Sequence, residues 1–200
     1  ADHQTVCDCE TCRKSPDSVS TRFFRYLNAM MAEVRKVYPE TIVTTFGYQI
    51  TAEPPTVKVD DHVLVSFCPY VKDDKRSILD PENAKWKDRA DRWVKDGGAH
   101  LNWREYFGDG MAFPRPIAPV VARDLSYVNG ELGVRSVFAE TIPDMKGKRP
   151  YSQSWDVSSM EYWILSRLMW DPAQSVAKLR VQYLKRAYRS AAPSVGRFYK

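Results

Sequence analysis

The sequence predicts an α/β fold, the C-terminal half of a (β/α)8 TIM-type barrel with four parallel strands and a C-terminal helical tail. Apolar, β-branched runs typical of buried strands alternate with segments of helical apolar spacing. That order generates a parallel sheet with right-handed crossovers, either half a barrel or a complete small open sheet. A start without an initiator Met or a preceding strand favours the half barrel, with its N-terminal half absent.

The first part of the chain predicts one helix and two strands. From Ser20, a suitable N-cap, apolar residues recur at spacings of three and four until Pro39 ends the pattern, which predicts an amphipathic helix. The β-branched stretch 41–48 predicts a strand that is buried on both faces. After a proline-containing loop, the apolar run 63–68 predicts the second strand.

The middle of the chain predicts two further helix–strand units. Helical spacing begins at Asp80 and stops at Gly97, and a short strand follows at about residues 101–106. Prolines crowd the start of the next helix, and the fourth strand is predicted over residues 133–140.

A long helical tail closes the chain. Helices are predicted over residues 160–168 and 176–192, with Asp171 and the following proline between them. We expect the barrel half to occupy residues 1–155 and the tail to occupy residues 156–200 and to pack on the barrel.

The composition is that of an ordinary globular protein, with 44% hydrophobic and 28% charged residues. The net charge of +5 is local, because seven basic residues and no acidic residue follow Asp171. We interpret this charge as a solvated helix face, so a nucleic-acid partner is not expected. No apolar run approaches the roughly 18 residues needed to span a bilayer, so no membrane partner is expected either.

Three of the four cysteines, Cys7, Cys9 and Cys12, share one short loop. Their spacing can direct the sulfurs to one point, as in part of a tetrahedral zinc site. The fourth cysteine, Cys68, ends the second predicted strand. Two interpretations stay open: a structural zinc held by all four thiolates, or disulfide bonding. Both predict that Cys68 lies with the loop.

Aromatic and acidic residues gather where the predicted strands end. In parallel α/β folds the functional groups lie at these ends. Aromatic faces that stack on pyranose rings, together with carboxylates, are typical of a sugar site. The candidate sugar-binding residues are Tyr48, Tyr70, Trp103 and Tyr106.

The predicted acid and base are Glu140 and Asp2, with Glu105 as the third candidate. Two carboxyl groups that flank a glycosidic bond can cleave it without a cofactor. The structural alternative is that Glu140 pairs with an arginine such as Arg104 and braces the barrel mouth. The function classes left open are a glycoside hydrolase, a non-catalytic carbohydrate-binding barrel and a basic nucleic-acid-binding module.

Several motifs resemble those of the bacterial family called domain of unknown function 4838. They are Asp2, Cys7-x-Cys9-x-x-Cys12, Phe24-x-x-Leu27-Asn28, Tyr38-Pro39, Phe46-Gly47-Tyr48, Pro54-Pro55, Glu105-Tyr106, Gly133-Val134 to Glu140, and Leu168-x-Trp170-Asp171-Pro172. The family looks related to alpha-glucuronidases and beta-hexosaminidases. The resemblance covers nearly the whole chain and implies the second half of a glycosidase-type barrel.

The resemblance also implies a polysaccharide-directed protein that is secreted, periplasmic or at the cell surface. It matches Asp2 to the acidic residue that follows the fourth barrel strand and Glu140 to the glutamate that follows the eighth. Residues 3–6 replace the glycines that usually separate the aspartate from the first cysteine. The expected partners are a carbohydrate substrate and the N-terminal half of the same barrel.

Overall fold

The computed structural model describes residues 6–107, 116–140 and 152–199. Its centre is a sheet of four strands: β1 Val43–Gly47, β2 Val63–Phe67, β3 His100–Glu105 and β4 Ser136–Ala139. Each strand pairs in parallel with the next one along the chain, so the spatial order is β1-β2-β3-β4. The predicted α/β class and the four adjacent parallel strands are therefore confirmed.

The helices of the described ranges are α1 Glu10–Lys14, α2 Val19–Val37, α3 Ala84–Lys95, α4 Ala118–Gly130, α5 Ser152–Trp170, α6 Val176–Tyr188 and α7 Ala192–Phe198. Helix α2 is capped by Ser18, whose hydroxyl accepts a hydrogen bond from the Thr21 amide, and not by Ser20 as predicted. Ser20 lies inside the helix, and its hydroxyl donates to the carbonyl of Glu53 at 2.7 Å. Among these helices, none has the combined length and apolarity needed to cross a membrane.

One face of the sheet, here called the helix face, packs against α2, α3 and α4. Its buried side chains are Val63, Val65, Phe67, Leu101 and Trp103. The Phe67 ring centroid lies 6.5 Å from that of Trp86 in α3. Gly47 permits close packing here, since a β-carbon on it would lie 3.1 Å from Val65 and 3.3 Å from Trp93. Burial of each large side chain contributes roughly 1.5–3 kcal/mol to stability.

The opposite face, here called the open face, is formed by the alternate residues of the strands. It includes Phe46, Ser66, Asn102, Arg104, Ser136 and Phe138. The Asn102 amide donates to the Ser66 hydroxyl at 3.0 Å and accepts from Ser136 at 2.7 Å. The rings of Phe46 and Phe138 are 37% and 47% exposed. Because parallel sheets are normally covered on both faces, this exposed apolar surface is unusual.

The tail packs on α4 through Glu161 of α5. The Glu161 carboxylate accepts a hydrogen bond from the Ala118 amide at 3.2 Å and pairs with Arg180 of α6 at 3.3 Å. Ile164 and Leu168 of α5 are fully buried in the core that α5 shares with α4. Helix α5 begins at Ser152, earlier than the predicted tail boundary at residue 156.

Candidate functional site

An ion pair between Arg104 and Glu140 lies at the carboxyl end of the open face. The Arg104 guanidinium carbon lies 5.2 Å from the ring centroid of Phe46 and 4.4 Å from that of Phe138. Two aromatic contacts and a carboxylate therefore fix the guanidinium. The Glu140 side chain is 43% exposed, so its carboxylate is both oriented and accessible. The structure contains the contact between Glu140 and Arg104 that the structural alternative predicts.

Three tyrosines line the same edge of the open face. The ring centroids of Tyr48 and Tyr70 are 5.4 Å apart, those of Tyr70 and Tyr106 are 5.3 Å apart, and both pairs meet edge to face. Burial and the neighbouring Cys68 raise the pKa of Tyr106, so its hydroxyl stays protonated and can donate a hydrogen bond. The structure brings together three of the four aromatic residues predicted for sugar binding.

Trp103, predicted to bind sugar, and Glu105, predicted to face one pocket with Glu140, do not lie at this edge. The structure therefore does not bring either of them together with Glu140. Trp103 is fully buried on the helix face, and its indole N–H donates to the Glu105 carboxylate at 2.9 Å. Successive side chains of a strand point to opposite faces of the sheet. Since Arg104 reaches Glu140 on the open face, both of its neighbours must point toward the helices.

Glu105 instead belongs to a buried charged cluster on the helix face. The Lys72 ammonium lies 3.0 Å from Asp74, 3.5 Å from Glu105 and 3.9 Å from Asp124. Asp124 also accepts hydrogen bonds from the hydroxyl of Ser77 and the amide of Ile78. Burial raises the pKa of Glu105 to about 7, against the opposing effects of Lys72 and the Trp103 N–H.

The cysteine loop holds three thiols together without the fourth. The sulfurs of Cys7, Cys9 and Cys12 all lie within 4.8 Å of one another, a group that could hold a metal ion. Cys68 is outside this group. Its buried thiol donates to the carbonyl of Ser66 at 3.5 Å, and burial raises its pKa to about 11.

These positions correct the prediction that Cys68 joins the loop. The alternation of β2 turns Cys68 onto the open face, where it neighbours Tyr106. All four cysteines are free thiols, so no disulfide joins Cys68 to the loop in the structure. Asp2, the other predicted catalytic carboxylate, lies outside the described residues.

The chain was also compared with known families, curated proteins and solved structures. A family model described as Domain of unknown function (DUF4838) matches residues 1–200. The chain belongs to this family. No curated protein and no solved structure matches it. The resemblance inferred from the sequence motifs is therefore confirmed for the DUF4838 family, whose description assigns no activity.

Two loops that carry the tyrosines of the DUF4838 chain have unusual backbone conformations. Gln49 and Val71, which directly follow Tyr48 and Tyr70, have φ angles of 48° and 62°. Left-handed conformations of this kind are costly for residues other than glycine, above all for a β-branched valine. The side-chain oxygen of Gln49 is buried and has no hydrogen-bond partner among the described residues. Such strain is common at binding sites.

Sequence reasoning did not identify Phe46 and Phe138 as contacts of Arg104, and it did not identify Lys72 as a member of the buried charged cluster. The alternation of side chains along each strand was an available signal. It places Phe46, Arg104 and Phe138 on one face of the sheet once the strand pairing is known. Asp124 had a signal too, since it is a charged residue on the apolar side of α4, beside Val121 and Leu125. Lys72 lies in a polar loop, and nothing local predicts its burial.

The buried Glu105 predicts a pH-dependent stability. In the unfolded chain Glu105 ionises near its ordinary pKa of 4.5, whereas the folded carboxyl keeps its proton up to about pH 7. The stability that the protonated Glu105 contributes is fully present below about pH 4.5 and is lost as the pH rises through about 7. The free energy of unfolding falls by about 3 kcal/mol over this range. Glu105→Gln should flatten the free energy of unfolding across this range, as measured by urea denaturation.

The matched control for this experiment is Glu40→Gln, which changes an exposed carboxylate in the same way. It should leave the pH dependence of the wild-type protein intact. An equally steep pH dependence in the Glu105→Gln variant would show that another group titrates.

Proposed function

We propose that the carboxyl edge of the open face is a carbohydrate site and that the protein cleaves glycosidic bonds in a polysaccharide or oligosaccharide. The observation that carries this proposal is the shared edge of Glu140 and the three tyrosines Tyr48, Tyr70 and Tyr106. Tyrosine rings offer apolar faces to sugar rings and hydroxyls to their polar groups. A half-exposed carboxylate beside them supplies the reactive group that glycosidases use.

Glu140 is best suited to act as the nucleophile or general base. A general acid must direct a proton at the leaving group, whereas the Glu140 carboxylate already accepts a hydrogen bond from Arg104 and has its other side open to solvent. The acid is then assigned to Asp2 or to a residue outside this chain segment. The distance between the two catalytic carboxyl groups distinguishes the retaining mechanism from the inverting one. A distance of about 5 Å indicates a retaining enzyme, and a distance of about 6.5–9.5 Å indicates an inverting enzyme. Neither role requires a cofactor.

The proposed architecture is the second half of a (β/α)8 barrel, with residues 156–200 as a tail. Two features of the described residues support it: the open face exposes Phe46 and Phe138, and β1 and β4 are the outer strands of the four. Exposed edges and an uncovered parallel face favour association with further strands. Four additional β/α units would cover the face, pair both edges and close the mouth around Glu140. Secretion, a periplasmic location or a cell-surface location belongs to the same proposal.

A carbohydrate-binding barrel without catalysis is the second candidate. It is favoured by the Arg104–Glu140 ion pair, because a carboxylate committed to a guanidinium can serve as a purely structural brace. This candidate requires the tyrosines alone, so it predicts sugar binding without bond cleavage.

A nucleic-acid role is the least supported candidate. Four basic residues of the tail, Lys178, Arg180, Lys185 and Arg186, lie on α6, and Arg197 lies on α7. One of them, Arg180, already pairs with Glu161. A nucleic-acid complex would weaken steeply as the salt concentration rises. Binding of duplex or single-stranded DNA that persists at 50 mM salt and disappears near 200 mM, on the order expected for several phosphate contacts, would favour this role.

The experiment that tests the proposed function is a reducing-sugar screen of the complete natural polypeptide. Acidic and neutral polysaccharides are incubated with the protein, and binding is measured in parallel. Release of reducing ends supports the hydrolase. Binding without release supports the second candidate, and the absence of both contradicts a carbohydrate function.

Replacement of Tyr70 by alanine should weaken sugar binding with little effect on stability. Tyr70 is 39% exposed and lies between the other two tyrosines of the edge. Loss of one stacking contact costs about 1 kcal/mol, or roughly fivefold in Kd. Calorimetric titration with the best-bound oligosaccharide measures this change. Tyr26→Ala, which removes a 68% exposed tyrosine from α2, is the control and should leave Kd unchanged.

A further inference from the structure

The cysteine loop has the donor set of a soft-metal site. Three thiol sulfurs, those of Cys7, Cys9 and Cys12, lie within 4.8 Å of one another. In a tetrahedral zinc site with Zn–S bonds of about 2.3 Å, neighbouring sulfurs are separated by about 3.8 Å. Closing the group around an ion therefore requires movements of about 1 Å or less, which rotation of exposed side chains supplies.

The short helix in this loop has few other contacts to stabilise it, and its own Lys14–Glu10 ion pair is exposed. Helix α1 has five residues and buries none of them. Isolated helices shorter than about 12 residues are marginal in water. Its links to the rest of the fold include one hydrogen bond from the Arg22 guanidinium to the Cys12 carbonyl. A metal ion bound by Cys7, by the N-cap residue Cys9 and by Cys12 in the first turn of α1 would fix the segment from Cys7 to the helix.

The fourth ligand cannot be a cysteine of this chain segment. The only other cysteine is Cys68, and its buried thiol donates to the Ser66 carbonyl on the open face. The loop thiols are exposed or half-exposed, so solvent or another side chain can reach an ion held by them. A site with three protein ligands and one exchangeable position is the arrangement that zinc adopts when it is not fully enclosed.

We propose that Cys7, Cys9 and Cys12 bind one Zn²⁺ as thiolates, with a fourth ligand that is not sulfur, and that this ion holds the segment from Cys7 to α1 in its folded form. Zinc fits because it prefers a tetrahedral site rich in thiolate and brings no redox chemistry. The site is separate from the proposed sugar site and does not depend on that proposal. Its function is to anchor the chain that leads into α2.

The arrangement also connects the loop to the edge that carries Tyr48. Arg22, which holds the Cys12 carbonyl, follows Ser20 and Thr21 in α2. The Ser20 hydroxyl donates to the Glu53 carbonyl, and the Thr21 hydroxyl accepts from the Thr56 amide at 3.0 Å. The segment that the zinc would hold therefore leads directly into the N-terminal end of α2, which in turn supports the loop after β1.

The test uses the complete polypeptide, purified without chelator, and measures zinc by elemental analysis and ligands by X-ray absorption. We expect one zinc per chain with three sulfur neighbours at about 2.3 Å and one nitrogen or oxygen neighbour at about 2.0–2.2 Å. Cys9→Ser and Cys12→Ser should each lower the zinc content at least tenfold. Cys68→Ala, the matched control, should keep it.

A second measurement on the wild-type protein needs no substitution. Removal of zinc by a chelator should expose residues 6–17 to limited proteolysis while the sheet and α2 to α4 stay intact, and added Zn²⁺ should restore protection. Four sulfur neighbours, loss of zinc in Cys68→Ala, a disulfide among the loop cysteines in the purified protein, or failure to take up Zn²⁺ would each overturn the proposal.

Discussion

Glu140→Gln is expected to lower kcat on the best polysaccharide substrate by a hundredfold or more in the complete polypeptide. Glutamine keeps the shape of the side chain and can still accept a hydrogen bond from Arg104, but it cannot act as a nucleophile or base. Because the ion pair is partly exposed, its loss should cost only about 0–1 kcal/mol of folding stability. Steady-state rates and thermal unfolding measured on the same sample separate the two effects.

Glu131→Gln is the control for this substitution, since it neutralises an exposed carboxylate at the end of α4. It should change neither the rate nor the stability. A Glu140→Gln variant with unchanged turnover would remove Glu140 from the chemistry. A variant that loses stability instead of rate would favour the purely structural role of the Arg104 pair.

Trp103→Ala is expected to produce the largest loss of stability among the substitutions considered. The side chain is fully buried, its ring lies 5.4 Å from that of Phe67, and its N–H donates to the buried Glu105. Truncation of such a residue costs about 3–5 kcal/mol, which lowers Tm by on the order of 10 °C in a protein of this size. Chemical denaturation gives the free energy directly.

Two variants isolate the cause of this loss. Trp170→Ala removes a tryptophan that is 87% exposed and should leave stability nearly unchanged. Trp103→Phe keeps most of the apolar volume but removes the N–H donor, and should cost about 1–3 kcal/mol because Glu105 loses a hydrogen bond. If Trp103→Ala weakened sugar binding while the protein stayed fully stable, the original assignment of Trp103 to the sugar site would be restored.

The strand and helix order could be predicted because each element has its own local pattern. The continuous apolar run of β2 predicts a strand, and spaced apolar residues such as Leu27 and Met31 predict the inner face of α2. The prediction that the first strand is buried on both faces was wrong for the described residues, because Thr44 and Phe46 on its open face are exposed. The N-cap was misplaced by two positions, since Ser18 and Ser20 are equally suitable by residue type. Only the packing of Ser20 against residue 53 distinguishes them.

The candidate site could be predicted only in part, because position in the sequence does not give the face of a strand. Tyr48, Tyr70, Tyr106 and Glu140 follow strands and converge as expected. Trp103 and Glu105 lie at the end of the same strand but point to the helix face. A shift of one residue along the strand decides which face a side chain occupies. Only the number of cysteines places Cys68 with the loop, and a count carries no information about geometry.

The carbohydrate site itself is tested most directly by the crystal structure of the complete polypeptide with its best-bound oligosaccharide. The account predicts a sugar ring against the tyrosine edge of Tyr48, Tyr70 and Tyr106, with the Glu140 carboxylate within about 3.5 Å of the ring or of a glycosidic oxygen. A sugar bound at another surface, with this edge occupied by packing side chains from the rest of the protein, would contradict it.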